Sequence, residues 1–277
     1  MKAPRAGKEK VGPGTTVLIT GAFGGFGREF IRQLIHAGAD LVLSDLVTRP
    51  IREALSQQEQ RNMQAGWESH IVAQIAADLS TRRGCDALYE QCCQLGRPID
   101  VVIHNAGVTF VGYFDDVPRD EWERLIQLDL LAPMRLTHSF LPEFVARGWG
   151  HFVFIDSVAG FIGTPFGTAY SAAKFGLNGF AMALHGENRR RGLDTTIVYP
   201  FFSRTDMMHS PWHGDPPIRT MPDVYIGDPK RVVRAAIAGI QRRKLYVRPG
   251  PFSKLLWLAA RLLPIIAKQR AAKMRQA

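Results

Sequence analysis

Tyr170 and Lys174 lie four positions apart in a predicted helix, so their side chains share one face. The Lys174 ammonium would then lie beside the Tyr170 phenol and favour the phenolate. A tyrosine whose pKa is brought towards neutrality can pass a proton during a reaction. Ser157, thirteen residues before Tyr170, adds a hydroxyl that can hydrogen-bond a substrate oxygen. With the glycine-rich turn described next, this spacing predicts hydride-transfer chemistry.

The glycine-rich turn is the segment Thr20–Gly27, which follows the first predicted strand. Gly21 would make the turn, Gly25 would admit phosphates, and Gly27 would let the following helix approach the strand. The turn brings unpaired backbone N–H groups to the N-terminus of that helix, an arrangement that suits a pyrophosphate. The segment is therefore predicted to bind a dinucleotide.

Asp45 ends the second predicted strand, about 24 residues after Gly21, where a carboxylate can accept hydrogen bonds from both ribose hydroxyls. Its negative charge would repel a 2′-phosphate, and neither Phe23 nor Gly24 supplies a cation to hold one. NAD is therefore the predicted cofactor. Arg49 lies close enough downstream to keep NADP open as the alternative.

Short apolar strands alternate with longer helical patterns along the chain. The predicted strands are Thr16–Thr20, Leu41–Ser44, Ile71–Ile75, Val101–His104, Phe152–Ile155, Thr195–Tyr199 and Leu245–Val247. The predicted helices are Phe26–Ala37, Ile51–Gln64, Thr81–Gln94, Arg119–Ala146, Ala169–Arg191 and Pro229–Arg242. Strands this apolar are covered on both faces. The fold class is α/β, a doubly wound, Rossmann-type parallel sheet of about seven strands with helices on both faces.

The chain of 277 residues is predicted to hold one domain with an extension at each end. Residues 1–14 are predicted as a basic flexible tail and residues 15–250 as the dinucleotide-binding domain. Residues 203–227, rich in Pro, Met, His and Trp, interrupt the alternation and are predicted to form a lid over the substrate; the alternative is a surface excursion without function. Residues 251–277 are predicted as a basic amphipathic helix.

The net charge of +10 lies mainly at the two ends of the chain. Residues 1–10 carry a net +3 and residues 252–277 a net +6, whereas the 241 residues between them carry +1. Because the folded body is nearly neutral, nucleic acid is not predicted as a partner. The three cysteines show no disulfide framework and no zinc-type spacing, which indicates a reducing, cytoplasmic location. The N-terminal residues lack the apolar run of a signal peptide or membrane span.

These motifs resemble the short-chain dehydrogenase/reductase family from about Thr15 to Pro249. The resemblance rests on the Thr20–Gly27 pattern, Asp78-Leu79 after the third strand, His104-Asn105-Ala106-Gly107 where the family has Asn-Asn-Ala-Gly, Ser157, and Tyr170-Ser-Ala-Ala-Lys174. Order and spacing both agree with the family. The resemblance implies a dehydrogenase or reductase that forms a homodimer or homotetramer.

The family resemblance also implies a role for each motif. Asp78 and Leu79 would border the adenine, and Asn105 would line the cofactor. Tyr170 would exchange a proton with the substrate oxygen, while Lys174 would hold the nicotinamide ribose. The predicted cofactor-binding residues are Thr20, Gly21, Gly25, Phe26, Gly27, Asp45, Asp78, Leu79, Asn105, Ala106, Gly107, Tyr170, Lys174, Pro200 and Thr205, the last facing the nicotinamide carboxamide.

Two positions depart from the family pattern. Asp129 stands where the family usually has an active-site asparagine, and we include it with the candidate catalytic residues. An ionised Asp129 only accepts hydrogen bonds and brings a negative charge towards Lys174. It could hold a water against the lysine, or it could oppose the lysine's effect on Tyr170. Phe201 follows Pro200 where glycine is usual, which would alter the nicotinamide pocket.

The residues expected around the substrate are mostly large and apolar. The predicted substrate contacts are Ser157, Phe161, Phe166, Phe202 and Trp212, with Ile162, Phe201, Met207 and Met208 nearby. Such a lining favours a lipophilic alcohol or ketone of the steroid, retinoid or long-chain type; the alternative is that these aromatics pack the core. Arg204 could hold an anionic group if the lid folds inward. No metal is predicted, because His209 and His213 lack a third ligand.

The C-terminal segment from Phe252 combines leucines with cations. Lys254, Arg261, Lys268 and Arg275 recur every seven residues, which predicts a basic line along one side of a helix. Such a helix could lie in a membrane surface. It could equally pack on a neighbouring subunit or shield the substrate entrance. The apolar run is shorter than the roughly 20 residues that a membrane span needs.

The sequence thus predicts an NAD-dependent oxidoreductase acting on a lipophilic secondary alcohol or its ketone, cytoplasmic and possibly bound to a membrane face. Two alternatives stay open. One is an NADPH-dependent carbonyl reductase, and the other is a non-catalytic dinucleotide-binding protein that acts as a sensor or docking module. The departures at Asp129 and Phe201 motivate the second.

Overall fold

The computed structural model describes residues 11–48, 50–55, 57–61, 63, 65–217 and 222–262. The strands are β1 Thr16–Thr20, β2 Asp40–Asp45, β3 Ile71–Ala76, β4 Val101–His104, β5 Val111–Gly112, β6 Gly150–Ile155, β7 Leu193–Val198, β8 Trp212–His213 and β9 Tyr246–Val247. The helices are α1 Gly25–His36, α2 Ile51–Ala54, α3 Gln57–Arg61, α4 Arg82–Cys93, α5 Arg119–Ile126, α6 Ala132–Arg147, α7 Thr168–Asn188, α8 Pro229–Gln241 and α9 Gly250–Leu262.

Seven strands form a parallel sheet in the order β3-β2-β1-β4-β6-β7-β9. Val17 at the centre pairs with Leu41 of β2 on one side and with Val101 of β4 on the other. The strand order therefore runs outward from β1 on both sides, through β2 and β3 on one side and through β4 and the later strands on the other. At such a reversal of strand order, a crevice opens at the carboxyl ends of the strands. The predicted doubly wound sheet of about seven strands is confirmed.

The sheet is covered by a helical layer on each face. On one face, Phe30 and Leu34 of α1 pack in a cluster with Val233 and Ile240 of α8. On the other face, helices α4, α6 and α7 contribute residues such as Leu88, Phe144 and Leu177 to a second cluster. All residues of β1, β4 and β6 are buried. Coverage on both faces explains why these strands lack the polar alternation of a half-exposed sheet.

Local signals account for several helix boundaries. Thr81 caps α4, because its hydroxyl accepts the Gly84 amide at 3.0 Å. Asp228 caps α8 in the same way through the Lys230 amide at 2.9 Å, and Pro229 occupies the first helical position. Gly148, with φ 70°, ends α6 in the left-handed conformation.

Two predicted helices differ from the observed ones, and one small sheet was not predicted. The predicted helix Arg119–Ala146 is interrupted by a π-helical turn, Gln127–Leu131, between α5 and α6. The predicted helix Ile51–Gln64 contains two short helices, with Leu55 in an extended conformation after the first of them. The two-residue strands β5 and β8 pair in parallel and form a separate small sheet that the sequence did not predict.

The two ends of the described chain also dock on the domain. Val11, inside the predicted tail 1–14, is 8% exposed and belongs to the core cluster of α1. Ser253 in α9 is fully buried, and its hydroxyl donates to the Tyr199 carbonyl at 2.7 Å. Residues 1–10 and 263–277 lie outside the described residues. Within the described part of the chain, no helix is long and apolar enough to cross a bilayer.

Candidate active site

The structure brings three of the four predicted catalytic residues, Ser157, Tyr170 and Lys174, to the carboxyl edge of the sheet. Ser157 follows β6, and the adjacent helix α7 carries Tyr170 and Lys174. The Lys174 Nζ lies 5.4 Å from the centroid of the Tyr170 ring. Lys174 also donates a hydrogen bond to the carbonyl of Ile155, the last residue of β6, at 3.2 Å. This contact fixes the ammonium against the strand that leads to Ser157.

The Ser157 hydroxyl has two neighbours. It accepts a hydrogen bond from the Ala159 amide at 3.1 Å and so caps a short 3₁₀ turn. It also lies close enough to the Tyr170 phenol to oppose the rise in the pKa of that phenol that burial causes. Ser157 is therefore a local cap whose hydroxyl also lies near the predicted proton carrier.

Asp129 lies in the π-helical turn and forms an ion pair with Lys174. Its Oδ2 is 3.2 Å from the Lys174 Nζ, and its Oδ1 accepts the Val108 amide at 2.8 Å. The side chain of Asp129 is fully buried. A Cβ at Gly107 would lie 2.8 Å from Asp129 Oδ2, so the glycine makes room for the carboxylate. A π-helical turn displaces side chains locally and is frequent at functional sites.

Burial and charge act against each other in this group. Burial raises the pKa of the Tyr170 phenol, and Lys174 opposes that rise while Asp129 adds to it. Burial alone would lower the pKa of the Lys174 ammonium, but Asp129, Tyr170 and Asp156 together raise it. Burial raises the pKa of the Asp129 carboxyl, and the contacts with Lys174 and Val108 lower it. Lys174 is thus held as an ammonium, and the negative charge of Asp129 opposes its effect on the pKa of the phenol.

Asp156 was not predicted as a site residue. It lies between β6 and Ser157 and is 3% exposed. Burial raises the pKa of its carboxyl to about 8, while Lys174 and the Ser157 amide lower it. No pattern in the sequence predicts that a polar residue next to the end of a strand is buried. The signal that could have found it is its position directly before the candidate serine.

The glycine-rich turn is braced from β4. The Asn105 side-chain amide donates to the Thr20 and Gly21 carbonyls at 3.0 and 2.8 Å. The Thr20 hydroxyl in turn accepts the Asn105 and Ala106 amides at 3.0 and 3.1 Å. Gly21 has φ +61°, and a Cβ there would lie 2.8 Å from the Ala106 Cα. The turn therefore needs glycine for both its conformation and its close approach.

The other two glycines of the turn are required by close contacts. A Cβ at Gly27 would collide with the Gly21 carbonyl, so this glycine lets α1 pack against the turn. A Cβ at Gly25 would lie 2.6 Å from the Thr205 side chain, which comes from the segment after β7. Phe26 is partly buried and packs on the α1 core cluster. This narrow glycine cradle at a helix N-terminus fits the phosphates of a dinucleotide.

Asp45 is held by the same turn. Its Oδ2 accepts the Phe23 amide at 2.9 Å, and its Oδ1 accepts the Leu46 amide at 2.8 Å. The carboxylate is therefore fixed at the end of β2 with lone pairs left for ribose hydroxyls. The residues that follow it, Leu46 and Val47, are exposed and apolar. Arg49, on which the NADP alternative depended, lies outside the described residues.

The predicted adenine border is only partly accessible. Asp78 is exposed, and its Oδ1 accepts hydrogen bonds from the Ser80 amide and hydroxyl at 3.0 and 2.6 Å. Leu79 is 4% exposed, and its side chain belongs to the core cluster of α4. His104, which replaces the family's asparagine, is buried and lies 3.1 Å from the Thr137 hydroxyl. Burial lowers the pKa of His104 to about 3.

The predicted substrate residues do not all face the same surroundings. Phe161 packs edge-on against Tyr199 near the core, with ring centroids 5.4 Å apart. Phe166 contacts Tyr113 at 5.0 Å and has an unusual positive φ of 62°. Trp212 lies in β8, which the lid pairs with β5, and is 51% exposed. Phe166 and Trp212 are therefore on the outer side of the site.

The segment from Pro200 to the lid is anchored at several points. The Pro200 carbonyl accepts the Val158 amide at 3.1 Å, next to Ser157. The Phe202 carbonyl accepts the Gly227 amide at 2.7 Å, which ties the start of the lid to its end. Arg204 pairs with Asp223 at 3.4 Å on the exposed side of the lid. Arg204 therefore pairs with an acidic residue of the lid itself.

The lid histidines do not form a cluster with other ligands. His213 lies 2.9 Å from Glu121 of α5, and His209 is exposed. Across the residues that the structure describes, no group of three or more His, Cys, Asp or Glu side chains is arranged to hold a metal ion.

The fold and these residues define an oxidoreductase with a dinucleotide crevice, and the chain belongs to the short-chain dehydrogenase/reductase family. The family model described as short chain dehydrogenase matches residues 15–215. Members of this family bind a nicotinamide dinucleotide and act on small molecules.

Two similar proteins and one solved structure illustrate the relationship. Mouse (Mus musculus) epidermal retinol dehydrogenase 2 is 32% identical over 255 residues, 91% of this chain and 79% of that protein. Bovine (Bos taurus) dehydrogenase/reductase SDR family member 7B is 31% identical over 191 residues, 69% of this chain and only 58% of that protein. A short-chain dehydrogenase from Sphingobium yanoikuyae in complex with NADPH has a TM-score of 0.72 at 27% identity, covering 91% of this chain and 95% of that chain.

Proposed function

We propose that the protein is an NAD-dependent dehydrogenase that interconverts a lipophilic secondary alcohol and its ketone. The observation that carries this proposal is the grouping of Ser157, Tyr170 and Lys174 at the edge of the sheet that also holds the glycine cradle. In this proposal, the proton leaves the hydroxyl oxygen of the substrate and the hydride leaves the carbon that bears that hydroxyl.

In this proposal each side chain has one task. Ser157 hydrogen-bonds the substrate oxygen, and Tyr170 accepts its proton during oxidation or donates one during reduction. Lys174 stabilises the phenolate through its charge and holds the ribose hydroxyls. Asn105 keeps the glycine cradle in shape. When bound, the nicotinamide ring supplies or accepts the hydride.

Substitution of Tyr170 by Phe tests the catalytic assignment. The variant keeps the ring and loses the proton carrier, so turnover should fall at least about a hundredfold, the lower range for a general acid–base group. Cofactor binding, followed by nicotinamide fluorescence, should persist. Activity that survives the substitution would contradict the assignment. Cofactor binding by the wild-type protein without turnover of any alcohol would favour the sensor or docking alternative.

The choice of NAD over NADP rests on Asp45. Its carboxylate is fixed at the ribose end of the cradle by the Phe23 amide at 2.9 Å, and a 2′-phosphate placed there would meet this negative charge. The neighbouring exposed residues, Leu46 and Val47, offer no cation in return. The similar Sphingobium structure is in complex with NADPH, so the competing interpretation is an NADPH-dependent reductase. Fluorescence titration with both cofactors distinguishes them.

The proposal of a lipophilic substrate rests on partly exposed apolar side chains in and near the lid. Phe166, Trp212, Met207 and Met208 are partly exposed and lie in or near the lid, so they offer apolar surface to a ligand. Similarity to a mouse retinol dehydrogenase supports the same class. A panel of retinoid, steroid and long-chain alcohols, compared with short hydrophilic ones, tests it by kcat/KM.

Two further parts of the proposal concern association. On α9, Leu255, Leu258 and Leu262 are 64%, 47% and 67% exposed, and they support contact with a membrane face. On α7, Phe175 and Met182 are 46% and 42% exposed at a spacing of seven residues, and they support a homodimer or homotetramer. Sedimentation velocity measures the second directly.

A further inference from the structure

Asp156 places a second carboxyl group inside the catalytic cluster. Its Oδ1 accepts the Ser157 amide at 2.9 Å. Its Oδ2 is buried and has no hydrogen-bond partner among the residues that the structure describes. Gly160 covers the group so closely that a Cβ there would lie 2.6 Å from each oxygen. A carboxylate at this position is therefore almost without solvation.

Four ionisable side chains from three parts of the fold lie close enough to Asp156 for their charges to affect one another. Lys174 and Tyr170 come from α7, Asp129 from the π-helical turn, and Tyr199 from the end of β7. Lys174 is the single cation of this set. Tyr199 is engaged elsewhere, because its hydroxyl donates to the Asn178 side chain at 2.8 Å.

The charges in this cluster do not balance if both carboxyl groups are ionised. Two buried negative charges would then face one ammonium, and like charges that share a site raise the pKa of one member. Asp129 Oδ2 also has no hydrogen-bond partner among the described residues, but it lies 3.2 Å from the Lys174 ammonium, and Oδ1 accepts the Val108 amide. Asp129 therefore has the better partners. Asp156 has one amide. The proton is therefore better placed on Asp156, and the two groups titrate as a pair.

We propose that Asp129 and Asp156 share one negative charge opposite Lys174, with the proton on Asp156 at neutral pH, and that Asp156 thereby acts as a positioning residue for the charge felt by Tyr170. The kinetic consequence rests on the proposed dehydrogenase function, whereas the sharing of charge does not.

The expected consequence appears on the alkaline side. Burial raises the pKa of Asp156 to about 8. Below that pH the neutral carboxyl leaves Lys174 free to favour the Tyr170 phenolate. Above it, Asp156 ionises and adds a second negative charge beside the phenol, which raises the pKa of Tyr170. Oxidation of an alcohol, which needs the phenolate, is then held back.

Infrared difference spectroscopy on the full chain tests the shared charge without any substrate. The spectrum of the wild-type protein minus that of Asp156→Asn should show the carbonyl stretch of one protonated carboxyl at neutral pH, lost on titration through about pH 8. In Asp129→Asn the same band should vanish at neutral pH and return in acid, because Asp156 takes over the negative charge. Asp78→Asn, at an exposed aspartate, is the control and should leave the band unchanged.

The pH profile tests the effect on Tyr170. The ratio of kcat/KM for alcohol oxidation at about pH 9.5 to that at about pH 7.5 should be about three- to tenfold larger in Asp156→Asn than in the wild type, since one neighbouring charge shifts a pKa by about a unit. Asp156→Ser, with a smaller neutral side chain, should give the same direction and guards against a folding defect of the first variant.

Two results would overturn the inference. One is the absence of a protonated carboxyl band attributable to Asp156 at neutral pH. The other is a band that Asp129→Asn leaves untouched, which would show that the two groups do not share a charge. If the protein oxidises no alcohol, the infrared result still decides the point, so a failure of the proposed function is distinguishable from a failure of this inference.

Discussion

The ammonium of Lys174 lies 3.2 Å from the carboxylate of Asp129, and both side chains are closed to solvent, with exposures of 5% and 0%. In a buried pair, each partner depends on the other, because removing one leaves the second as an uncompensated charge. The family's usual asparagine would not create this dependence. A substitution of either residue is therefore expected to change the stability of the fold as well as the chemistry of the site.

Lys174→Met tests that dependence through stability. We expect the free energy of unfolding at about pH 7 to fall by about 3 to 5 kcal/mol, the usual cost of breaking a buried pair. Without the ammonium, the folded-state pKa of Asp129 rises further above its unfolded value. The protonated form then costs less to bury, so the loss should shrink as the pH falls. Urea unfolding at about pH 7 and about pH 5 measures both effects.

The matched control is the double variant Lys174→Met/Asp129→Asn, which removes both charges. It should recover most of the stability lost in the single variant. A double variant as unstable as Lys174→Met would show that the loss comes from packing rather than from the stranded carboxylate.

Asp45→Ser is expected to weaken the preference for NAD. The Ser side chain retains a hydroxyl for the ribose but no longer repels a 2′-phosphate. The ratio of the Kd for NADPH to the Kd for NAD should fall about tenfold, which corresponds to about 1.4 kcal/mol. Fluorescence titration of both cofactors measures it. Asp86→Ser, at an exposed aspartate of α4, serves as the control, and a wild-type protein that binds NADPH more tightly would refute the assignment.

His104 is expected to make the fold sensitive to acid. Burial lowers the pKa of His104 from 6.5 to about 3. Between these two pH values, His104 binds a proton in the unfolded chain but not in the folded chain. The stability is complete above about pH 6.5 and falls by about 1.4 kcal/mol per pH unit as the pH drops towards 3. His104→Asn should remove this contribution from the slope of unfolding free energy between about pH 7 and pH 5.

His151 provides an internal comparison for that measurement. Burial also lowers the pKa of His151 to about 3. His151 lies near the start of β6, whereas His104 lies at the end of the neighbouring strand β4. His151→Asn should reduce the slope by a similar amount. A slope that neither substitution changes would mean that the two histidines do not titrate as their burial implies.

The exposed leucines of α9 are expected to support binding to anionic membranes. The triple variant Leu255→Ser/Leu258→Ser/Leu262→Ser removes apolar surface that is not used in the core, and it should lower partitioning onto phosphatidylserine-containing vesicles at least about tenfold. Cosedimentation measures it, with Leu46→Ser, at a leucine 51% exposed elsewhere, as the control. Equal binding by the wild type, the triple variant and Leu46→Ser would contradict the proposed membrane contact through α9.

Much of the site follows from local spacing. The strand that ends at Thr20, the glycines after it and Asp45 at the next strand end indicated the cradle, because parallel strands bring their carboxyl ends to one edge. The four-residue interval between Tyr170 and Lys174 indicated a shared helix face. The fold class followed from the alternation of strands and helices, and the family resemblance rested on the order and spacing of the motifs; both are confirmed.

Other features depend on contacts between distant parts of the chain. The pairing of β5 with β8 joins residues about a hundred positions apart, and two-residue strands have no periodicity to detect. The docking of α9 depends on one buried hydroxyl, Ser253, against the Tyr199 carbonyl. Neither the composition nor the spacing of these segments specifies such a partner.

The sequence by itself therefore predicted which side chains carry the chemistry, and it indicated the edge of the sheet at which they lie. The tertiary structure decided how those side chains are charged. Asp129 and Asp156 become partners in one buried cluster only because the π-helical turn, the end of β6 and α7 meet, and the protonation of a carboxyl depends on the neighbours and the water around it rather than on its position in the chain.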